Sequence, residues 1–498
     1  MNRRHIRMPW GWVFAGIIIF VLISPLTGVD FQNPEQESGL SRIVIFHVND
    51  VHGHISNFAK IAWLINEERR INPNVFFLSA GDNFTGDPYV DQSHPKGEPI
   101  LELFNHMKLD VLALGNHDFD YGQEILKSFI LRGRFNVVCA NLSVTGAGII
   151  PQPKPYVILR TRDGLTIAVL GLIQISKFTR LPDTHPDHVR GLTFSDEIQS
   201  ARQYRFLARE SDLFIALTHQ GVGKDEKLAR EMKELDLIVG GHSHTVIDRP
   251  REVGGVLIVQ TGQKGKYLGK VELEFSGHRL IGKRSELIDL GRVDHEDSLV
   301  KKMLEVFFDN PELDMVIAVL KTSVEGKQVL GNLVTDAICD ILGLDMALYN
   351  SGGIRIHRLG PEVKLWDVYA LHPFGNDIVV FEMTAAELRS LIRYDYEHVA
   401  PLDIQVSGLS YRLKATKDRR LLAIYLYDEN GDLLDEIRTY RVGMNNYMAS
   451  AYTFNHRDPG RSSHQKMVDV MIQYLNRGKI DPVRVKNTNR SSLQTIKE

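Results

Sequence analysis

Cysteine is almost missing from this chain. Cys139 and Cys339 are the only two among 498 residues. Each lies in an apolar segment, so both read as buried free thiols. Neither a disulfide framework nor a thiolate zinc site can be built from them. An excess of one charge is missing too. Lys and Arg number 59 against 62 Asp and Glu, a formal net charge of −3, which gives no basis for a nucleic-acid surface. There is no internal repeat. Apolar runs that approach a bilayer's thickness are lacking except at Trp10–Leu26, 17 uncharged residues preceded by Arg3, Arg4 and Arg7. The order basic, apolar, polar matches a secretion signal or a signal anchor, with the positive end left in the cytoplasm. No small-x-small cleavage site follows, and no cysteine for lipid attachment lies directly after the run. The expectation is a signal peptide or signal-anchor helix over residues 1–28, favouring the uncleaved anchor. A polar linker over 29–40 and an extracytoplasmic (periplasmic or cell-surface) body follow.

What the chain does have is five apolar runs that stop abruptly at metal-type ligands. IVIFHVNDVHGH delivers Asp50 and His52, and VFFLSAGDN delivers Asp82. VLALGNHDFD delivers Asn116, His117, Asp118 and Asp120. LFIALTHQG ends on His219, and LDLIVGGHSH on His242 and His244. Short apolar runs bounded by glycine and polar residues read as strands buried on both faces. Helical patterns such as Phe58–Arg69 and Tyr121–Phe129 lie between them, and that alternation predicts a layered α/β domain. In such sheets ligands gather at the carboxyl ends of the strands, where all five clusters sit, so the clusters are expected to converge.

Carboxylate, carboxamide and imidazole suit hard to borderline divalent ions such as Mn²⁺, Zn²⁺ or Mg²⁺. The supply exceeds what one ion needs. Two ions about 3.5–4 Å apart that share a carboxylate would use all of it. Asp82, arriving alone between two ligand sets, is the natural bridge. Asp120 follows His117 by three residues, near enough to fix the tautomer of its imidazole and raise its basicity. His47, His54, His106 and His398 fall outside this pattern and read as structural.

These blocks resemble the dinuclear metallophosphatase signature of the bacterial and animal 5′-nucleotidase family: Asp50-Val-His52, Gly81-Asp82-Asn83, Gly115-Asn116-His117-Asp118, Thr218-His219 and Gly240-Gly241-His242-Ser243-His244. The likeness continues in Gly331–Ala337, Asn350-Ser351-Gly352-Gly353-Ile354-Arg355 and Pro373-Phe374-Gly375-Asn376, which look like that family's substrate-binding domain. The resemblance implies one metal on Asp50, His52, Asp82 and His244, and another on Asp82, Asn116, His219 and His242. His244 stands where some relatives have Gln or Asn, a swap that keeps a ligand. His117 would act on the phosphoryl group or its leaving oxygen, with Asp120 orienting it. Substrate contacts would fall to Gly353, Arg355, Asn446 and Tyr447. The implied activity is phosphate release from nucleotides or related phosphomonoesters by water activated between two metals. Nucleotide-sugar, cyclic-phosphodiester or sulfur-ester hydrolysis on the same scaffold is the alternative, and a non-catalytic surface binding protein the rival of another class.

The substrate side departs from the family. The first of its two base-stacking rings is replaced, by Asp403 in Leu402-Asp403-Ile404-Gln405-Val406, while the second is present as Tyr447. The ribose-binding Asp is also missing, with Ala451-Tyr452-Thr453-Phe454 in its place. A stacked base contributes about 1–3 kcal/mol per ring, so nucleoside selectivity should be weakened while the metal chemistry is untouched. Arg355 is kept, and its planar fork suits phosphate.

The metal domain is expected over residues 41–290, with further strands at Leu165–Leu170 and Val256–Gln260. A charged connector over 291–320 begins a helix. An α+β substrate-binding domain spans 321–485, with helices at Leu333–Leu342 and Ala385–Tyr394. Its strands are expected at Met346–Tyr349, Ile378–Met383 and Leu421–Tyr427, the last entering a hairpin turn. A polar, disordered tail is expected over 486–498. An active site between the two domains would let their relative rotation gate the substrate.

Overall fold

Alternating side-chain direction along the strands sets the layers of the first half. In the strand Leu40–Val48, Ile43 and Ile45 turn to one face, and Val44, Phe46 and Val48 to the other. The same period of two puts Leu213, Ile215 and Leu217 on one side of Leu213–His219 and Phe214 and Ala216 on the other. The computed structural model, which describes residues 39–478, 480 and 482–496, joins these strands into two six-stranded sheets. One runs Arg279–Asp289, Tyr267–Ser276, Leu40–Val48, Val75–Ser79, Val111–Ala113 and Asn136–Val138. The other runs Arg251–Val253, Val256–Val259, Leu237–Gly240, Leu213–His219, Thr166–Ile173 and Tyr156–Arg160. Ile43, Ile45, Val111, Val169, Ile215 and Val239 meet between the sheets, while separate apolar clusters attach helices to each outer face. Four consecutive strands of each sheet are parallel, Leu40–Val48 to Asn136–Val138 in the first and Val256–Val259 to Thr166–Ile173 in the second. Both faces are therefore covered, and the strands are continuously apolar. This is the layered α/β sandwich expected.

The predicted elements fall within a few residues of their expected places. Phe58–Ile71 is a helix, and the helix expected over Tyr121–Phe129 lies at Gln123–Arg132, delayed by Gly122 at φ 80°. The connector's helix is Ser298–Phe307, capped by Asp297, and it buries Val300 and Leu304 in the first half's core.

The second half is α+β. Its five-stranded sheet has the order Ile404–Ser407, Met346–Asn350, Thr439–Asn445, Asp377–Thr384, Arg461–Lys466. Only Met346–Asn350 and Thr439–Asn445 pair in parallel. Helices Lys327–Leu342 and Met467–Asn476 cover one face, and Ala385–His398 with a three-stranded sheet covers the other. The carboxyl ends of the two parallel strands lead into the Arg355 loop and the Tyr447 helix, joined by an Asn445-to-Asn350 side-chain bond of 2.8 Å.

The expectation of a disordered tail is corrected. Ser491–Ile496 is a strand that pairs in parallel with Ser410–Thr416. Polar composition hid it, because an edge strand is held by backbone bonds and needs few apolar side chains. Arg490 anchors it by a two-pronged pair with the fully buried Asp336, at 2.8 and 3.0 Å. The apolar run Trp10–Leu26 lies outside the described residues; among those described, no helix is long and apolar enough to cross a membrane. Asp336 keeps Arg484 at 3.3 Å and the Ser407 hydroxyl at 2.6 Å when Arg490 is removed, so Arg490→Ala should lower the unfolding free energy in urea by about 1–3 kcal/mol.

Candidate functional site

The five strand ends converge, and the backbone is bent hard to let them. Asp50, His52, Asp82, Thr85, His242 and His244 all take positive φ, between 50° and 78°. Each costs about 1–2 kcal/mol for a residue with a Cβ, a strain that clusters where side chains must be aimed. Rungs between neighbouring loops hold them there. Asp50 N–H donates to Gly81 O at 3.0 Å, His52 N–H to Asp82 O at 3.0 Å, and Gly53 N–H to Asn83 O at 2.9 Å. The Asp118 carboxylate accepts from the N–H groups of Gly115, Asp82 and Asn83 at 2.8, 3.1 and 2.8 Å, pinning two strand ends together. Gly115 is obligatory, since a Cβ there would lie 2.2 Å from Asp82 Oδ1.

Three triads gather ligand atoms within 4.8 Å of one another: Asp50, His52 and His244; His52, Asp82 and His117; Asp82, His219 and His242. Their outer contacts fix which nitrogen faces inward. His52 Nδ1 lies 3.1 Å from Thr85 O, and His219 Nδ1 lies 2.7 Å from Ala80 O. A carbonyl can only accept, so each Nδ1 carries the proton and each Nε2 presents a lone pair. These lone pairs then face other acceptors, His52 Nε2 against His244 Nε2 at 3.1 Å and His219 Nε2 against Asp82 Oδ2 at 3.0 Å. Asn116 donates its Nδ2 to Asp183 O at 3.0 Å, which turns its Oδ1 to within 3.0 Å of His242 Nδ1. A divalent ion among these atoms would bind them together without the protons that hydrogen bonds between them require. Spacings near 3 Å are what two ligands of one ion leave between them when each bond is about 2.1 Å. The charge agrees. Asp50 and Asp82 are 0% and 1% exposed. Burial lowers the His219 pKa, but with no ion bound Asp82 and Asp50 outweigh it and raise it to about 10, so Nε2 draws a proton toward Asp82 that a divalent ion would replace. The residues fit divalent ions.

Beside the ligands, His117 Nδ1 lies 2.7 Å from Asp120 Oδ2. Burial works against charge on His117, yet Asp120 and Asp82 overcome it and its pKa is raised. Thr184 donates to the other Asp120 oxygen at 3.0 Å. The His117 ring stacks on Phe374 of the second half, centroids 5.7 Å apart at 29°, and Arg355 sits over the same phenyl ring at 5.5 Å. Among the described residues Arg355 makes no side-chain hydrogen bond or ion pair. Burial lowers its pKa even though Asp120, Asp82 and Asp50 attract its charge. Gly353 lets its loop close on the Tyr349 ring, which a Cβ would meet at 2.7 Å, and its carbonyl accepts from His372.

A cavity of about 290 Å³ lies where the two halves meet. Of the residues expected from sequence, Asp82, Asn116, His117, Asp120, His242, His244, Gly353, Arg355 and Tyr447 line it. Asp50, His52 and His219 lie in the ligand triads outside its lining, and Asn446 is not in the lining either. Sequence reasoning missed Asp183, Thr184, His185 and His188, which enter on an irregular loop with no strand or helix signal. Phe374, Asn376 and Asn350 lay inside motif blocks but had no role assigned. On the nucleoside side, Asp403 turns away, accepting a hydrogen bond from Ser351 Oγ. Thr453 is exposed and does not line the cavity, while Tyr452 is buried beside Tyr394 and Tyr447. Burial, and then the neighbouring Asp403, raise Asp395 to about 8.

Two family models match the chain: calcineurin-like phosphoesterase over residues 43–246 and 5′-nucleotidase, C-terminal domain over 314–454. A trifunctional nucleotide phosphoesterase protein of Bacillus subtilis is 26% identical over 484 residues, covering 84% of this chain. The chain spans only 33% of that relative's length. Human 5′-nucleotidase is 25% identical over 440 residues, 75% of each protein. The crystal structure of a 5′-nucleotidase precursor from Thermus thermophilus superimposes with a TM-score of 0.78 at 26% identity, covering 91% of this chain and 99% of that one.

Gly115→Ala should displace the Asp82 carboxylate and abolish divalent-ion binding in isothermal titration. Asp395 is raised above its unfolded value, so its burial costs nothing at acid pH and progressively more from about pH 4 to 8. Asp395→Asn should therefore stabilise the protein in denaturant titration, with a gain larger at pH 8 than at pH 5.

Proposed function

We propose that the chain, which matches a calcineurin-like phosphoesterase domain ahead of a 5′-nucleotidase C-terminal domain, is a phosphoester hydrolase that releases phosphate from nucleotides or related phosphomonoesters. The family implies divalent metal ions. In our reading there are two, Mn²⁺, Zn²⁺ or Mg²⁺. Asp50, His52, Asp82 and His244 hold one, Asp82, Asn116, His219 and His242 the other. When bound, they supply Lewis-acid polarisation of the phosphoryl oxygens and a water of lowered pKa.

The observation that carries the proposal is Arg355, a guanidinium that makes no ion pair among the described residues and faces the same cavity as the ligand cluster and His117. A half-buried cation left without a direct partner is costly, and a phosphoryl group is the partner its planar fork fits. His117 works beside it. Asp120 holds the proton on Nδ1 and favours the imidazolium, so the ring offsets charge on the phosphoryl oxygens or gives its outer proton to the leaving oxygen. Thr184, bonded to Asp120, keeps that carboxylate in line. Tyr447 offers an aromatic face to the leaving group, and Asp403, turned onto Ser351, supplies no ring to pair with it. The reading is therefore a phosphomonoesterase for which the nucleobase is optional. Export is part of it, supported by the basic-then-apolar start of the sequence and by the likeness to a 5′-nucleotidase precursor.

The test strips the full chain of metal and reloads it with Mn²⁺, Zn²⁺ or Mg²⁺. It is assayed on AMP, UDP-glucose, a 2′,3′-cyclic nucleotide, a sugar phosphate and an aryl phosphate. Metal-dependent release of phosphate from the monoesters is expected. His117→Ala should lower kcat by about 10²–10⁴-fold with unchanged metal content, because this residue stands outside both ligand sets. Turnover of only the diester or nucleotide-sugar substrates, or none with any metal, would contradict the proposal.

A further inference from the structure

The cavity carries two chemically different sets of groups. Arg355 and the candidate metal ligands suit the phosphoryl group. Asp183, Thr184, His185 and His188 line it from the first half, in the segment between Thr166–Ile173 and Leu192–Phe194. Tyr447, on the second-half helix that packs against this segment, lines it too. We propose that His185 and His188 form a leaving-group subsite for the hydroxyls of a neutral polyol, a pentose or hexose. This rests on the phosphomonoesterase reading and adds the class of alcohol released.

The first argument is unused hydrogen-bonding capacity. The His185 side chain is 10% exposed. Its Nδ1 accepts the Asp187 N–H at 3.2 Å, so Nε2 carries the proton. That Nε2 is buried and makes no hydrogen bond, lying beside the Asn446 main chain but out of bonding geometry. His188 Nδ1 is likewise buried and without a partner. A buried polar atom with no partner costs free energy, and a ligand hydroxyl, both donor and acceptor, satisfies either nitrogen. The two rings stand 5.2 Å apart at 39°, a spacing two hydroxyls of one sugar ring can bridge.

The second argument is preorganisation. Asn116 holds the Asp183 carbonyl at 3.0 Å and Asp120 accepts from Thr184 at 3.0 Å, so the segment is tied to the ligand cluster and to the catalytic pair. Pro186 opens a short 3-10 turn, Pro186–Val189, that packs on the helix bearing Tyr447. The nitrogens are thus set before substrate arrives.

Charge excludes the obvious rival, a second phosphate. Burial lowers the pKa of both imidazoles, which favours their neutral forms. The carboxylates nearby, Asp120, Asp183 and Asp187, repel an anion. Neutral imidazoles, a threonine, an asparagine and a carboxylate around one phenol ring are the planar polar groups and single aromatic face that suit a sugar.

The test compares kcat/KM for ribose 5-phosphate and glucose 6-phosphate with that for p-nitrophenyl phosphate, at saturating Mn²⁺. Variants are His185→Ala, His188→Ala, and the amide mimics His185→Gln and His188→Asn, with metal content and Tm recorded. Each alanine change should lower the sugar-to-aryl ratio of kcat/KM about tenfold, and the mimics should recover most of it. Should an alanine variant unfold, the ratio is read in the mimic against a leucine at the same position. Equal losses on sugar and aryl substrates would show a merely structural role and overturn the subsite, as would an unchanged ratio. A wild type active on aryl but not sugar phosphates overturns the subsite alone. One inactive on all three overturns the phosphomonoesterase reading with it.

Discussion

Two carboxylates with almost no exposed surface, Asp50 and Asp82, dominate this structure. A buried carboxylate is stable only beside positive charge. Here the surrounding imidazoles supply it only by taking up protons, as the raised pKa of His219 shows, and a divalent ion would supply it in their place. The strained strand ends, the glycines without room for a Cβ and the carbonyls that fix each histidine tautomer all serve to hold negative and lone-pair groups at a point where they repel one another. The two apolar sheets bear that repulsion, which is why the ligands rise from the best-buried strands of the molecule.

The second half completes what the first begins. Arg355, the cation proposed to meet the phosphoryl group, comes from one half and His117, the proposed catalytic imidazole, from the other, and the Phe374 ring touches both. Any motion of the halves would change the spacing of these two groups. The irregular segment with Thr184, His185 and His188 is bound to the first half by Asn116 and Asp120 and touches the second near Tyr447. Chemistry and leaving-group recognition are therefore mechanically linked.

The candidate metal-ligand set was legible in the sequence for a physical reason. A parallel strand buried on both faces leaves an unbroken apolar run, and its abrupt end at Asp, Asn or His stands out. Asp50, His52, Asp82, Asn116, His219, His242 and His244 were each visible in this way, and the structure brings them together. The Asp183–His188 segment was not, because an irregular loop has no period and its cavity-facing residues depend on tertiary bonds from Asn116 and Asp120. The strand Ser491–Ile496 was hidden by its polar composition, and its anchor, Arg490 on Asp336, joins residues 154 apart. Asp403 was correctly seen to lack a ring, but its turn onto Ser351 is a local hydrogen bond that no pattern announces.

The central claim is that one buried carboxylate, Asp82, couples two ion sites. The direct measurement is the number of Mn²⁺ ions bound per chain, by elemental analysis and titration calorimetry, in the wild type and in Asp82→Asn. The account predicts two ions in the wild type and loss of both in the variant. One ion in the wild type, or two retained without the carboxylate, would contradict it.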